Sequence, residues 1–122
     1  KGRKGELLYA KLYLDSADMN LTMPNHSFDF LDKDGVRVNV KMSTFRDRVW
    51  SFSLGATYEK VLEQGHQCDI YSCLCVDDNF HILREYRIPA IVWGDKKAIN
   101  LHPNGTLYKH YIVVNNIPEE GV

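Results

Sequence analysis

The sequence predicts an α+β (α/β) domain, a mixed β-sheet flanked by helices. Three observations carry the prediction. The N-terminal segment has apolar residues at helical spacing. An Asp-Gly pair joins two apolar, alternating runs. The predicted elements then follow in the order helix, three strands, helix, strand.

Leu7, Ala10, Leu14 and Ala17 recur at helical spacing, with Leu8 and Leu12 alongside, and predict a helix over residues 5–18. Glu6, Tyr9 and Tyr13 fall together on its flank. Residues 19–26 contain Pro24 and Asn25 and read as a loop. Ser27–Asp32 is strand-like, Lys33-Asp34-Gly35 turns it, and Val36–Met42 returns. Asp and Gly both tolerate positive φ, which a tight hairpin needs. Val49–Leu54 is a third strand, and residues 57–64 form a short helix closed by Gly65. Cys68–Val76 is the most strand-like run. Asp77-Asp78-Asn79 turns it into Phe80–Ile88, which Pro89 ends. The tail offers Ala98–Leu101, an "HPNG" turn and Thr106–Val114, expected as a second hairpin. A meander of three strands followed by a helical crossover predicts a mixed sheet.

A chain of 122 residues fits one domain, residues 1–122. At 44% hydrophobic and 25% charged residues it can build an ordinary core, which excludes a disordered class. The net charge of −1 gives no global basic field, so nucleic-acid binding would rest on local patches. Three cysteines, all in "CDIYSCLC", cannot close a disulfide framework, and a reduced, intracellular protein is the simplest expectation. No run of 18 apolar residues is present, so a membrane is not an expected partner. The chain begins "KGRKGE" without methionine, which is compatible with a piece of a longer protein.

The hairpin "HSFDFLDKDGVRVNVKMS" poses a chemical question. Side chains alternate along a strand, so Asn39 and Lys41 share one face and Val38 and Val40 the other. A short turn lets Asp29 approach them. A lone charge among apolar residues must pair, bind an ion or reach solvent. A metal-dependent phosphodiesterase uses a comparable set: hard oxygens hold Mg²⁺ beside the phosphate, and a lysine orients the attacking water. The Val40 backbone carbonyl is a further candidate ligand. A cross-strand ion pair between Asp29 and Lys41 on a solvated face is the structural alternative.

The helix with a glutamate, the hairpin with "FDF" and the following "VNVKMS" together resemble the PD-(D/E)XK nuclease superfamily of restriction enzymes, homing endonucleases and junction resolvases. The family's core order, helix–three strands–helix–strand, resembles residues 5–76. The resemblance implies a restriction-endonuclease-like fold and a Mg²⁺- or Mn²⁺-dependent endonuclease acting on DNA, as a homodimer or with an added DNA-binding segment. It implies a cytoplasmic, bacterial or phage-type setting. Asp29 matches the family's first acid, Asn39-Val40-Lys41 its acid–any–lysine, and Glu6 its helix glutamate. The implied ligands are Asp29, Asn39 and the Val40 carbonyl, with Lys41 on the water and Glu6 in support. Asn39 departs from the pattern, which has Asp or Glu there. Either the amide oxygen is a weaker ligand, or another acid such as Glu6 compensates, or the position carries an inactivating change.

Ser43 and Thr44 follow Lys41 and are candidates for phosphate contact, or else cap a strand end. Arg3 and Lys4 in "KGRK", and Arg46 and Arg48 in "TFRDR", are candidates for the DNA backbone; solvated surface is the ordinary reading of such short runs. His66, Cys68, Cys73 and Cys75 match no closed zinc pattern, because a strand sends Cys68 to the opposite face, so buried cysteines are expected. Asp69 reads as a strand-end contact. His102, Asn104 and His110 lack the helix that a His-Asn-His nuclease finger requires. Two rivals follow from Asn39 and from the bland reading: a non-catalytic DNA-binding or scaffold module of the same fold, and an unrelated α+β interaction domain.

Overall fold

The computed structural model describes residues 2–19 and 28–117 of the 122-residue chain. In chain order the elements are α1 (Gly2–Leu12), β1 (Ala17–Asp18), β2 (Phe30–Leu31), β3 (Arg37–Thr44) and β4 (Trp50–Ser53). Then come α2 (Tyr58–Gln64), β5 (Ile70–Val76), β6 (Ile82–Pro89), α3 (Ala90–Trp93), β7 (Ala98–Leu101) and β8 (Ile112–Asn115). The fold is mixed α+β. Six strands form one sheet in the order β1-β2-β3-β5-β6-β8, and β4 and β7 form a separate two-stranded ribbon. Among the described residues only β3 and β5 run parallel; the other pairings are antiparallel.

The sheet separates two cores. On one face α1 covers Phe30, Val38, Val40, Leu74 and Val76 with the fully buried Tyr9. Gly5 permits this seating: a Cβ there would lie 3.0 Å from the Met42 Cβ. On the other face the β4/β7 ribbon and α3 bury Trp50, Phe52, Trp93, Ile99 and Leu101 against Tyr71, Cys73, Tyr86 and Ile88. Fully burying each such apolar side chain contributes roughly 1.5–3 kcal/mol.

Several boundaries differ from the sequence expectation. The first helix stops at Leu12, because Ala17 and Asp18 pair with Leu31 and Phe30 as β1. Its buried residues are Gly5 and Tyr9, with Tyr13 half-buried, while Leu7 and Leu14 are exposed. Tyrosine outcompetes leucine here because its ring fills the core and its hydroxyl finds a partner. The Lys33–Gly35 turn forms as expected, with Gly35 at φ 81°, but β2 is only Phe30–Leu31; the expected start at Ser27 and most of the 19–26 loop lie outside the described residues.

The third strand leaves the meander. Trp50 and Phe52 alternate with exposed serines, so β4 stacks its one apolar face on the sheet and pairs with Ile99 and Leu101 of β7. The expected tail hairpin is absent for the same reason: β7 is taken by β4, and Ile112–Asn115 instead covers the open edge of β6. The helix expected over residues 57–64 forms as Tyr58–Gln64 with its Gly65 cap at φ 82°, and the strand expected over Phe80–Ile88 forms as Ile82–Pro89.

Candidate active site

Two features leave one edge of β3 open. The β2 strand pairs only with Arg37 and Val38, and β4 has swung into the other layer. Along β3 the side chains alternate. Asn39, Lys41 and Ser43 sit level with Tyr71, Cys73 and Cys75 of β5, and Val38 and Val40 turn to the α1 side. Beyond the last β2 rung, Asp29 takes the place of a strand. Its N–H donates to the Val38 carbonyl at 2.9 Å, and its Oδ2 accepts the Val40 N–H at 2.8 Å. The N–H and C=O of one strand residue leave on the same edge, so the Val40 carbonyl faces the Asp29 side as well.

Lys41 is half-buried, with its ammonium 5.8 Å from the Tyr71 ring centroid. Burial lowers its pKa from the usual lysine range, and Cys73 and Asp29 oppose that shift. Tyr71 is held firmly. Its hydroxyl lies 2.7 Å from His66 Nδ1, and His66 Nε2 lies 2.7 Å from the Gly94 carbonyl. A carbonyl only accepts, so Nε2 carries the proton and Nδ1 receives the Tyr71 O–H. All three cysteines are reduced and buried in one core. Cys68 precedes the first residue of β5, so it joins Cys73 and Cys75 rather than the opposite face. Burial pushes the Cys68 thiol up to about 11 and Cys73 well above its ordinary value, so neither is a nucleophile near neutrality.

A groove of 490 Å³ runs along this edge, lined by Val40–Thr44 on one side and Ser51–Ser53 on the other. Ser43 Oγ accepts the Ser51 N–H at 3.2 Å and donates to the Thr44 carbonyl at 3.2 Å. The groove exists because the β3–β4 connection pairs only at Arg46 and Val49, then splays. Its tip is a two-residue turn with Asp47 at φ 52° and Arg48 at φ 69°. Both lie in the left-handed region that a type I′ turn requires and that Gly or Asn usually supplies.

The other expected site residues are dispersed. Glu6 sits on α1, which packs on the opposite face from Lys41; Arg3 bridges Glu6 at 2.7 Å and Asp18 at 2.8 Å. The Lys4 ammonium lies 4.2 Å from the centre of the Phe80 ring. Arg46 is exposed and pairs with Asp78 at 2.9 Å, and Arg48 is exposed at the turn tip. Asp69 is a strand-end contact, as read: it grips Arg37 through Nε at 3.2 Å and Nη2 at 2.9 Å. His110 falls in a helical turn before β8 rather than on a strand.

A polar cluster on the α1 side escaped the sequence reading. Glu85 is fully buried and accepts hydrogen bonds from Tyr13 Oη and Ser72 Oγ, each at 2.5 Å. Arg87 completes it, 3.2 Å from Glu85 and 3.0 Å from the Tyr9 hydroxyl. The signal is the alternation of Glu85 and Arg87 with Tyr86 and Ile88, which places two charges on the face where Tyr9 and Tyr13 arrive.

Chemically, the β3 edge offers one carboxylate, one amide, one carbonyl, one half-buried ammonium and a run of hydroxyls. Among the described residues no three His, Cys, Asp or Glu side chains gather around one point. No helix of the described residues is long and apolar enough to cross a membrane. No protein-family model matches the chain, and no curated protein matches it.

Proposed function

We propose that the chain is a metal-dependent DNA endonuclease domain of the PD-(D/E)XK type, with a restriction-endonuclease-like core, acting on DNA as a homodimer. The observation that carries the reading is the placement of Asp29. Its carboxylate is bound to the backbone of the middle residue of Asn39-Val40-Lys41, and its charge reaches Lys41. The parallel β3–β5 pair, with α2 in the connection between its strands, supports the same reading.

The donor set fits Mg²⁺ or Mn²⁺. Asp29, the Asn39 amide oxygen and the Val40 carbonyl are hard oxygens, and one carboxylate with a substrate phosphate is an ordinary Mg²⁺ environment. These three would hold the ion, which supplies polarisation of the phosphoryl oxygen when bound. The chain's own residues do the rest. Lys41, desolvated at the groove wall, donates hydrogen bonds to the attacking water or to the developing phosphorane charge. Ser43 and Thr44, further along the groove, meet the flanking phosphates, and Arg48 at the turn tip adds screening charge.

Plasmid cleavage in Mg²⁺ or Mn²⁺ tests this. Asn39→Glu, which restores the family's second carboxylate, is expected to raise cleavage, and Lys41→Ala to abolish it. Absence of cleavage by both the chain and a folded Asn39→Glu variant would sink the catalytic reading. The neutral amide at Asn39 specifically favours one second reading, a DNA-binding module of the same fold without activity. It predicts DNA binding without Mg²⁺-dependent cleavage.

A further inference from the structure

We propose that the substrate is DNA with an unpaired nucleotide near the cleavage point, whose base is received by a pocket at the far end of the β3 groove. The inference rests on the nuclease reading and specifies its substrate class.

The pocket has a volume of 440 Å³ and is lined by Phe45, Trp50, Leu83, Pro103 and Ile117, together with the carboxylates Asp77 and Asp78. Phe45 and Trp50 form its aromatic side, with ring centroids 4.8 Å apart. Phe45 is 39% exposed, although its neighbour Trp50 is 2% exposed, so one aromatic face remains available to a ligand. Asp78 of the lining pairs with the exposed Arg46 at 2.9 Å, so a carboxylate acceptor and a guanidinium donor stand side by side at the pocket. A slot with an aromatic wall, apolar sides and both kinds of polar group on its rim matches a nucleobase, which has two π faces and a donor–acceptor edge.

Position makes the occupant a base of the same strand that lies in the groove. Asn39, Lys41, Ser43 and Phe45 follow one another at every second residue, so the groove's polar face leads directly to the ring. Lys41 and Phe45 are four residues apart, about 13 Å along a strand. That distance matches about four stacked nucleotides of a B-form strand. Cations stand along this path, Lys41 at its start and Arg46 and Arg48 at its end; Arg46 pairs with Asp78, and Asp47 and Asp77 add negative charge at the same end. A base in an intact duplex cannot enter such a pocket without unstacking and unpairing. A mismatched or unpaired base does so at much lower cost, which makes the pocket a selector for interrupted duplex.

The test is binding by fluorescence anisotropy with Ca²⁺ in place of Mg²⁺, using a labelled matched duplex and the same duplex carrying one unpaired nucleotide. The unpaired nucleotide is expected to tighten binding about tenfold, the scale of one base stacked on an aromatic ring. Phe45→Ala and Phe45→Leu should both bring the ratio near one, and Phe45→Trp should keep it. Phe45→Leu retains apolar volume, so a loss of preference in that folded variant reports the ring and not the fold. Equal binding of the two duplexes, or a preference that survives in Phe45→Leu, would overturn the pocket and leave the nuclease reading intact. Failure to bind either duplex would overturn both.

Discussion

The Asp29 carboxylate holds the Val40 N–H at 2.8 Å, two residues beyond the last rung between β2 and β3. One side chain therefore has two duties, completing the sheet and facing the groove edge. The two can be separated. Asp29→Asn keeps an acceptor for Val40 and should change stability by less than about 1 kcal/mol, whereas Asp29→Ala strands the N–H and should cost about 1–3 kcal/mol. Urea unfolding measures both. Under the nuclease reading neither variant cleaves; an Asp29→Asn protein that cuts like the parent would remove Asp29 from the metal site.

The buried Glu85 cluster should dominate the stability of the α1 docking. Tyr13→Phe removes a donor from a fully buried carboxylate and is expected to cost about 1–3 kcal/mol. Glu85→Ala, which also strands Arg87, should cost about 3–5 kcal/mol. Thermal unfolding of the two single variants and the double variant would show non-additive costs, since both act on one network.

Arg37 and Asp69 tie the starts of β3 and β5 together. The Arg37 side-chain hydrogen bonds, with its backbone N–H, hold the Asp69 carboxyl below its ordinary 3.8. The unfolded chain then binds this proton more readily than the folded one. The contribution is fully present above pH 3.8 and fades as pH falls below it toward the folded value. Both side chains are exposed, so Asp69→Asn should cost only about 0.5–1 kcal/mol at pH 7. That cost should shrink in urea titrations below pH 3.8; a constant difference at all pH values would contradict the pairing.

The strained turn tip yields opposite signs for stability and binding. At φ 69°, Arg48→Gly relieves a left-handed conformation and is expected to stabilise by up to about 1 kcal/mol. The same change removes a cation from the groove mouth. DNA affinity should fall uniformly across sequences, and the salt dependence should become shallower by about one charge. A stabilised variant with unaltered DNA affinity and salt slope would confine Arg48 to a structural role.

What could be read from the sequence was local. The Asp34-Gly35 turn, the Gly65 cap, the β5 run and the stop at Pro89 are each set by residues within a few positions. So was the parity that places Asn39 and Lys41 on one face. What could not be read depended on distant partners. Nothing within Trp50–Ser53 states that its apolar side will stack on Tyr86 and Ile88 rather than lie beside β3. Nothing near Ala98 names β4 as its mate. The burial of Tyr9 in place of Leu7 followed from Arg87, a partner 78 positions away. The site was legible as a set of chemical groups, while the groove lined by Lys41, Ser43 and Thr44 arose from the unread departure of β4.

That departure has a mechanical consequence. Among the described residues no backbone ladder joins the ribbon of β4 and β7 to the main sheet; side-chain packing and the chain connections hold the two layers together. Trp50 and Phe52 therefore act as shims, and their thickness sets the width of the channel. Trimming or enlarging them retunes the channel's gauge without redrawing a single strand pairing. The chain thus carries an adjustable calliper on an otherwise fixed frame.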